Sequence, residues 1–216
     1  SMRQDAPVGY NRGRTNDHPR IAVLTQGEAE GRVLVVFPSA KVPTSAPSTA
    51  QNLVSINVFL SFSDDGVATW SSPKSIAGSV PATGVKRFWP VVTVGSEGSV
   101  DVVYYESQEQ AAPDGSNCNV GIGGVLRRIG PAHSFVDTKI VRSDDGGQSF
   151  GTPVRVSSVT SDWCAGTVNI RPNFGDYIGA ATVGQTTFAV WADSRETISI
   201  GGVPRHTVDV FFAPVT

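Results

Sequence analysis

Four arginines, Arg20, Arg87, Arg171 and Arg195, stand in settings suited to gripping an anion. The first three each fall just before or at the start of an apolar segment, in Pro19-Arg20-Ile21, Arg87-Phe88-Trp89-Pro90 and Arg171-Pro172-Asn173-Phe174. A guanidinium presents a planar fork of donors that matches the two oxygens of a carboxylate, so this set is suited to an acidic ligand. Carboxylates that the strand pattern puts on the same rim are Glu106, Asp176 and Asp193, with phenols at Tyr104, Tyr105 and Tyr177. Glu106, Asp176, Tyr177 and Asp193 are therefore the candidates for proton transfer or nucleophilic attack. A plainer role is equally open: the arginines pair with Asp176 and Asp193 and hold neighbouring elements together.

Such groups need a scaffold, and the chain repeats one. Ser143-Asp144-Asp145-Gly146-Gly147-Gln148-Ser149-Phe150 and Ser63-Asp64-Asp65-Gly66-Val67-Ala68-Thr69-Trp70 share one pattern, broken only where Val67 replaces a glycine. In each, the second aspartate is placed to accept hydrogen bonds from the N–H groups of its own turn. Glycine supplies the positive φ, so Val67 predicts a distorted first turn. Trp70 and Phe150 are apolar plugs able to pack beneath the hairpin. Around the second turn, strands are expected over 88–94, 99–106, 135–143 and 154–158. The first unit has the same order over 21–24, 32–37, 55–62 and 74–77, and a third has strands over 177–183, 187–192 and 208–213. Ile56-Asn57, Val136-Asp137 and Val208-Asp209 superpose as the starts of the three third strands. The third unit lacks a turn motif and a fourth strand, whereas Ala6-Pro7-Val8-Gly9-Tyr10 matches the fourth-strand segment Thr152-Pro153-Val154-Arg155-Val156.

A repeated signature at long period points to a propeller, solenoid or array. The motif resembles the Asp-box of the bacterial neuraminidase (BNR) repeat family, the sialidase-like β-propellers. The ending Gly175-Asp176-Tyr177-Ile178-Gly179, Phe188-Ala189-Val190-Trp191-Ala192-Asp193-Ser194-Arg195 and Asp209-Val210-Phe211-Phe212-Ala213 also looks like that family's last blade. The resemblance implies an all-β propeller of four-stranded antiparallel blades, three per chain, over residues 15–80, 85–160 and 170–216, with 5–11 a closing strand. Residues 1–216 then form a single propeller region: half of a six-bladed ring completed by a second chain, or a fragment of a longer propeller. It makes Ser63, Asp65, Gly66, Trp70, Ser143, Asp145, Gly147 and Phe150 structural rather than catalytic. Sialidases clamp a substrate carboxylate with arginines from several blades, which gives Arg20, Arg87, Arg171 and Arg195 a ligand-binding role here. Their mechanism uses a tyrosine nucleophile, a glutamate and an aspartic acid. Tyr105 and Glu106 are adjacent on one strand and so face opposite sides, leaving Glu106 with Tyr177 as the pair to consider.

Composition narrows the rest. With 17 Lys plus Arg against 19 Asp plus Glu, a net charge of −2 gives no reason to expect nucleic-acid binding. No apolar run is long enough to span a membrane. Ser1-Met2 reads as a cloning scar before a start codon, and no signal peptide is present, so a secreted protein would appear here in a mature or trimmed form. Cys118 and Cys164 are either bridged or two free buried thiols, and few lysines suit an extracytoplasmic location. The histidines, His18, His133 and His206, lack metal-ligand spacing, and Asp114-Gly115-Ser116-Asn117 reads as a plain turn before a calcium loop. No metal or cofactor is expected. Trp89 and Trp191 are candidates for sugar stacking, although their strand setting favours core packing. Long loops over 39–51, 107–133 and 194–206 lie opposite the turns, where binding concentrates. Glycan or acidic-sugar recognition is the leading expectation, a sialidase-like glycoside hydrolase the alternative, and a protein-interaction scaffold the third.

Overall fold

Runs of β-branched and aromatic residues that alternate with polar ones make short antiparallel strands. The computed structural model describes residues 19–40, 56–79, 85–110, 133–163, 165 and 178–216. Apart from a 3-10 turn at Ser96–Gly98, the regular structure of these residues is all strand. The first sheet runs through β1 (Arg20–Val23), β2 (Val33–Ala40), β3 (Ile56–Ser63) and β4 (Lys74–Ser75), each antiparallel to the last. The second runs through β5 (Val85–Val94), β6 (Val100–Gln110) and β7 (His133–Ser143), with β8 (Val154–Arg155) and β9 (Ser161–Asp162) both paired to β7. The third contains β10 (Gly179–Val183), β11 (Thr186–Asp193) and β14 (Asp209–Val215). A parallel bridge between Ile56 and Lys86 joins the first two sheets, and no sheet closes on itself among the described residues.

Between β11 and β14 the expected loop over 194–206 holds a hairpin, β12 (Thr197–Ile200) with β13 (Val203–His206). Gly201 and Gly202 sit at φ 60° and 79°, the two positive values a tight two-residue turn needs. The Ile-Ser-Ile-Gly-Gly-Val run was the available signal for it.

The middle sheet is buried on both faces. Val100, Val102 and Tyr104 point towards Leu34, Val36 and Leu60 of the first sheet. Val103 and Tyr105, one residue out of step, point towards Ala189 and Trp191 of the third, with Phe88 and Trp163. Strand β5 runs beside β1 on one side and β10 on the other. Its expected alternation fails at one place. The ladder with β6 shifts between Phe88 and Val91, Trp89 takes φ 49°, and Phe88 and Trp89 enter the same core.

The segment 5–11, Arg171, Asp176, Tyr177, His18, Cys118, Cys164 and the turn 114–117 lie outside the described residues.

Candidate functional site

Each Ser-Asp-Asp-Gly turn closes on its second aspartate. Ser143 Oγ donates to Asp145 Oδ1 at 2.7 Å, Gly147 N–H donates to Ser143 Oγ at 2.8 Å, and Ser149 N–H donates to Asp145 Oδ1 at 2.8 Å. The first turn repeats these bonds. Ser63 Oγ donates to Asp65 Oδ1 at 2.8 Å, Val67 N–H to Ser63 Oγ at 3.0 Å and Thr69 N–H to Asp65 Oδ1 at 2.9 Å. The first turn is therefore not distorted. Val67 adopts φ 68° and bears the strain in an exposed position. A Cβ on Gly147, by contrast, would lie 3.1 Å from Leu34 Cδ2 of the first sheet. Phe150 packs against the core between the first two sheets, whereas Trp70 stays 43% exposed.

These bonds set the acidity of both aspartates. Thr69 and Ser63 hold Asp65 at about 2. Partial burial raises Asp145, but Ser149 and Ser143 outweigh it and bring it to about 2. Neither carboxyl retains a proton to donate near neutral pH, as a structural turn requires.

Arg87 and Arg195 belong to the opposite end of the sheets. Arg87 pairs in the ladder with Glu106, which in turn lies opposite Asp137, far from the Val100–Ser143 rung where the second turn begins. Arg87 Nε donates to Glu106 Oε2 at 2.7 Å, and its Nη1 donates to Asn57 Oδ1 at 3.1 Å and to the Ser79 carbonyl at 2.9 Å. Lys139 Nζ lies 2.6 Å from Glu106 Oε1. Burial pushes Glu106 up, but hydrogen bonds from Lys139 and Arg87 overcome it and hold the carboxyl below its usual value. One carboxylate is thus shared by two cations at the seam between the first and second sheets.

Arg195 is engaged more fully. Its Nε donates to Asp193 Oδ2 at 2.8 Å, its Nη1 to Ser158 Oγ at 2.7 Å, and its guanidinium lies 4.2 Å above the Phe211 ring. Asp193, nearly inaccessible, also accepts the Arg195 backbone N–H at 2.8 Å. This pair fastens the third sheet to the second.

Arg20 is placed differently from what its sequence setting suggests. It lies opposite Val36, and Val36 matches Val103 of the second sheet, so Arg20 sits three rungs nearer the turns than Arg87. It shares a side of β1 with Ala22, which packs into the core between the first two sheets. Among the described residues it makes no ion pair with a carboxylate.

Both described phenols are core groups. Tyr104 is sealed between the first and second sheets, and burial pushes its ionisation up. Tyr105 lies between the second and third, where its hydroxyl accepts the Ala192 N–H at 2.8 Å; burial pushes it up as well. Trp89 and Trp191 are buried in the same core as Tyr105. Neither Glu106 nor Asp193 is hydrogen-bonded to either hydroxyl, although the charge of Glu106 reaches Tyr104 and that of Asp193 reaches Tyr105, each adding to the rise. Sequence reasoning missed Lys139 and Asn57, which become visible only once strand pairing sets them beside Glu106 and Arg87.

Two clefts lie at the turn end instead. One, of about 980 Å³, is lined by Arg32, Asp64, Glu97 and Asp144 among others; the second, of about 440 Å³, lies between Arg142 and Val215. Arg32 is tied there to Asp64 at 2.6 Å and to the Gly146 carbonyl at 2.9 Å. Asp101 receives two bonds from Arg142, at 2.9 and 2.8 Å, and a third from Thr187 of the next sheet. No group of His, Cys, Asp and Glu among the described residues is arranged to hold a metal ion. No helix among them is long and apolar enough to cross a membrane.

No protein-family model and no curated protein matches this chain. Solved structures similar to it include the Hadza microbial sialidase Hz136, at 14% identity and TM-score 0.47, covering 90% of this chain and 35% of that one. A sialidase from Streptococcus pneumoniae has 10% identity and TM-score 0.43, covering 97% of this chain and 45% of its own. The intramolecular trans-sialidase of Ruminococcus gnavus has 10% identity and TM-score 0.40, over 99% and 73% of the two chains. This chain therefore spans less than half the length of the first two.

Proposed function

We propose that this chain is part of an extracytoplasmic, sialidase-like β-propeller of the Asp-box repeat kind, and that it binds acidic glycans without turning them over. The observation that carries the reading is the charge along the seam between the first and second sheets. Arg87 and Lys139 share the single carboxylate of Glu106, and Arg20 adds a third cation on the adjacent innermost strand. Asp137 lies opposite Glu106 with Arg155 3.8 Å from it, so four positive groups stand against two negative ones and leave a surplus suited to a carboxylate ligand. Binding is preferred to hydrolysis because Tyr104 and Tyr105 are sealed in cores and Glu106 is already paired, so no nucleophile and base stand together among the described residues.

The test compares immobilised sialylated and neutral glycans, with the wild-type chain and Arg20→Ala, alongside a fluorogenic sialoside. The reading expects acidic glycans to be retained, release by salt, and no turnover. Arg20→Ala should weaken binding by about tenfold, the worth of one charge-assisted contact, without lowering the melting temperature. Equal retention of neutral and acidic glycans would overturn it. Hydrolysis of the sialoside would favour the glycosidase, and silence in both assays a protein-interaction scaffold.

A further inference from the structure

The chain's own repeats show what each sheet face is meant to meet. Strand pairing makes Leu34, Val36 and Leu60 of the first sheet equivalent to Phe188, Val190 and Phe212 of the third. The first three are 0%, 0% and 1% exposed because the second sheet lies on them; their counterparts are 41%, 40% and 74% exposed.

The opposite side of the stack is complementary. Val92 and Phe150 of the second sheet, both packed against the first, correspond to Ile21 and Trp70, which are 65% and 43% exposed. Gly147, whose Cβ would touch Leu34, corresponds to the exposed Val67. The first sheet's outward face thus has the pattern of a face that covers, and the third sheet's outward face the pattern of one that is covered. Apolar faces of this kind on opposite sides of one molecule call for partners.

The edge of the third sheet carries the same message. In the first two sheets β4 pairs with Phe59 and Leu60, and β8 with Lys139 and Ile140. Asn57 and Asp137, at the starts of those third strands, hold the bend that follows through Ser75 at 2.7 Å and Ser157 at 3.2 Å. The matching residues Phe211, Phe212 and Asp209 of β14 have no such strand among the described residues. Both fourth-strand segments read x-Pro-x-x-apolar, Ser72-Pro73-Lys74-Ser75-Ile76 and Thr152-Pro153-Val154-Arg155-Val156, and Ala6-Pro7-Val8-Gly9-Tyr10 has the same form. Ile76 and Val156 drop into cores, the place Tyr10 would take. From Tyr10 to Arg20 the chain can extend about 33 Å, ample to cross the roughly 14 Å from outer to innermost strand.

We propose that the occupant is a second copy of this chain, joined by a two-fold axis into a closed ring of six sheets. Each copy lays the outward face of its first sheet on the third sheet of the other, and residues 6–10 add the fourth strand to that partner sheet. One chain cannot satisfy its own faces, because its second sheet separates the first from the third. The interface is self-complementary and leaves no strand edge open to further growth. It goes beyond the glycan reading and does not depend on it.

Light scattering on the full chain at tens of micromolar is expected to give twice the chain mass. Trp70→Asp and Phe212→Asp, each checked for folding by circular dichroism, should each give the single-chain mass. As a second route, Val67→Cys with Phe188→Cys, in a background carrying Cys118→Ser and Cys164→Ser, should form a reducible covalent dimer. A wild-type monomer would overturn the proposal and point to further sheets of a longer polypeptide as the covering partner. So would masses above two copies, a dimer indifferent to both aspartates, or failure of the cysteine pair to link two chains.

Discussion

Glu106→Gln removes one charge from the seam while keeping the side chain's shape, and its cost follows from the contacts. The carboxylate accepts from Arg87 at 2.7 Å and meets Lys139 at 2.6 Å, and all three side chains are mostly buried. Charge-assisted bonds of this kind contribute about 1.5–3 kcal/mol each. Glutamine retains one acceptor, and Arg87 keeps Asn57 and the Ser79 carbonyl, so the net loss at pH 7 should be about 2–3 kcal/mol. The same contacts fix a pH dependence. Glu106 is held below 4.5 in the folded state, so the unfolded chain takes up its proton first as pH falls. Its contribution is complete above the unfolded value and disappears as pH drops through the depressed folded value. Asp65 and Asp145 titrate in both proteins and cancel in the comparison. Urea unfolding followed by tryptophan fluorescence, at one protein concentration from pH 7 to pH 3, should show two stability curves converging at the acid end. A variant as stable as the wild type at pH 7, or two curves that stay parallel, would refute the reasoning.

Asp101→Ala strips the buried acceptor from Arg142 and from Thr187, and should cost about 3–5 kcal/mol in chemical denaturation; Thr187→Val should cost only about 1 kcal/mol. Gly147→Val puts a branched side chain at φ 88° against Leu34. Strain of about 1–2 kcal/mol plus overpacking of about 1–3 kcal/mol should lower the melting temperature markedly, although the equivalent Val67 is native in the first turn. A neutral Gly147→Val would show that the second turn does not press on the first sheet.

Local signals carried much of this architecture, and their limits are physical. The turns at 63–70 and 143–150 are specified by residues within eight positions of one another, so their aspartate hydrogen bonds could be anticipated. The tolerance for Val67 could not, because it depends on open space beside that turn rather than on the turn itself. Alternation located most strands, and it separated Tyr105 from Glu106. It gave no way to tell that Tyr104 and Tyr105 enter two different cores, which requires knowing that a sheet lies on each side. Partners of the arginines were legible only where they are neighbours in sequence, as Asp193 is to Arg195. Glu106 and Asn57 meet Arg87, and Lys139 meets Glu106, through pairing across β6, β7 and β3, a matter of register that composition does not reveal.

The bulge in β5 acts as a phase shifter. Below it, Val92 and Val94 face the first sheet; were the same residues to alternate strictly with no bulge, Arg87 would turn towards the third sheet, away from Asn57. The left-handed Trp89 reverses the parity, so the end carrying Arg87 is decoupled from the end that packs the core. Loss of a single residue there would only restore a regular ladder, leaving Arg87 opposite Glu106 on the face that Val92 presents. The bulge is thus a place where the strand can absorb a gain or loss of one residue while both of its ends keep the faces they present.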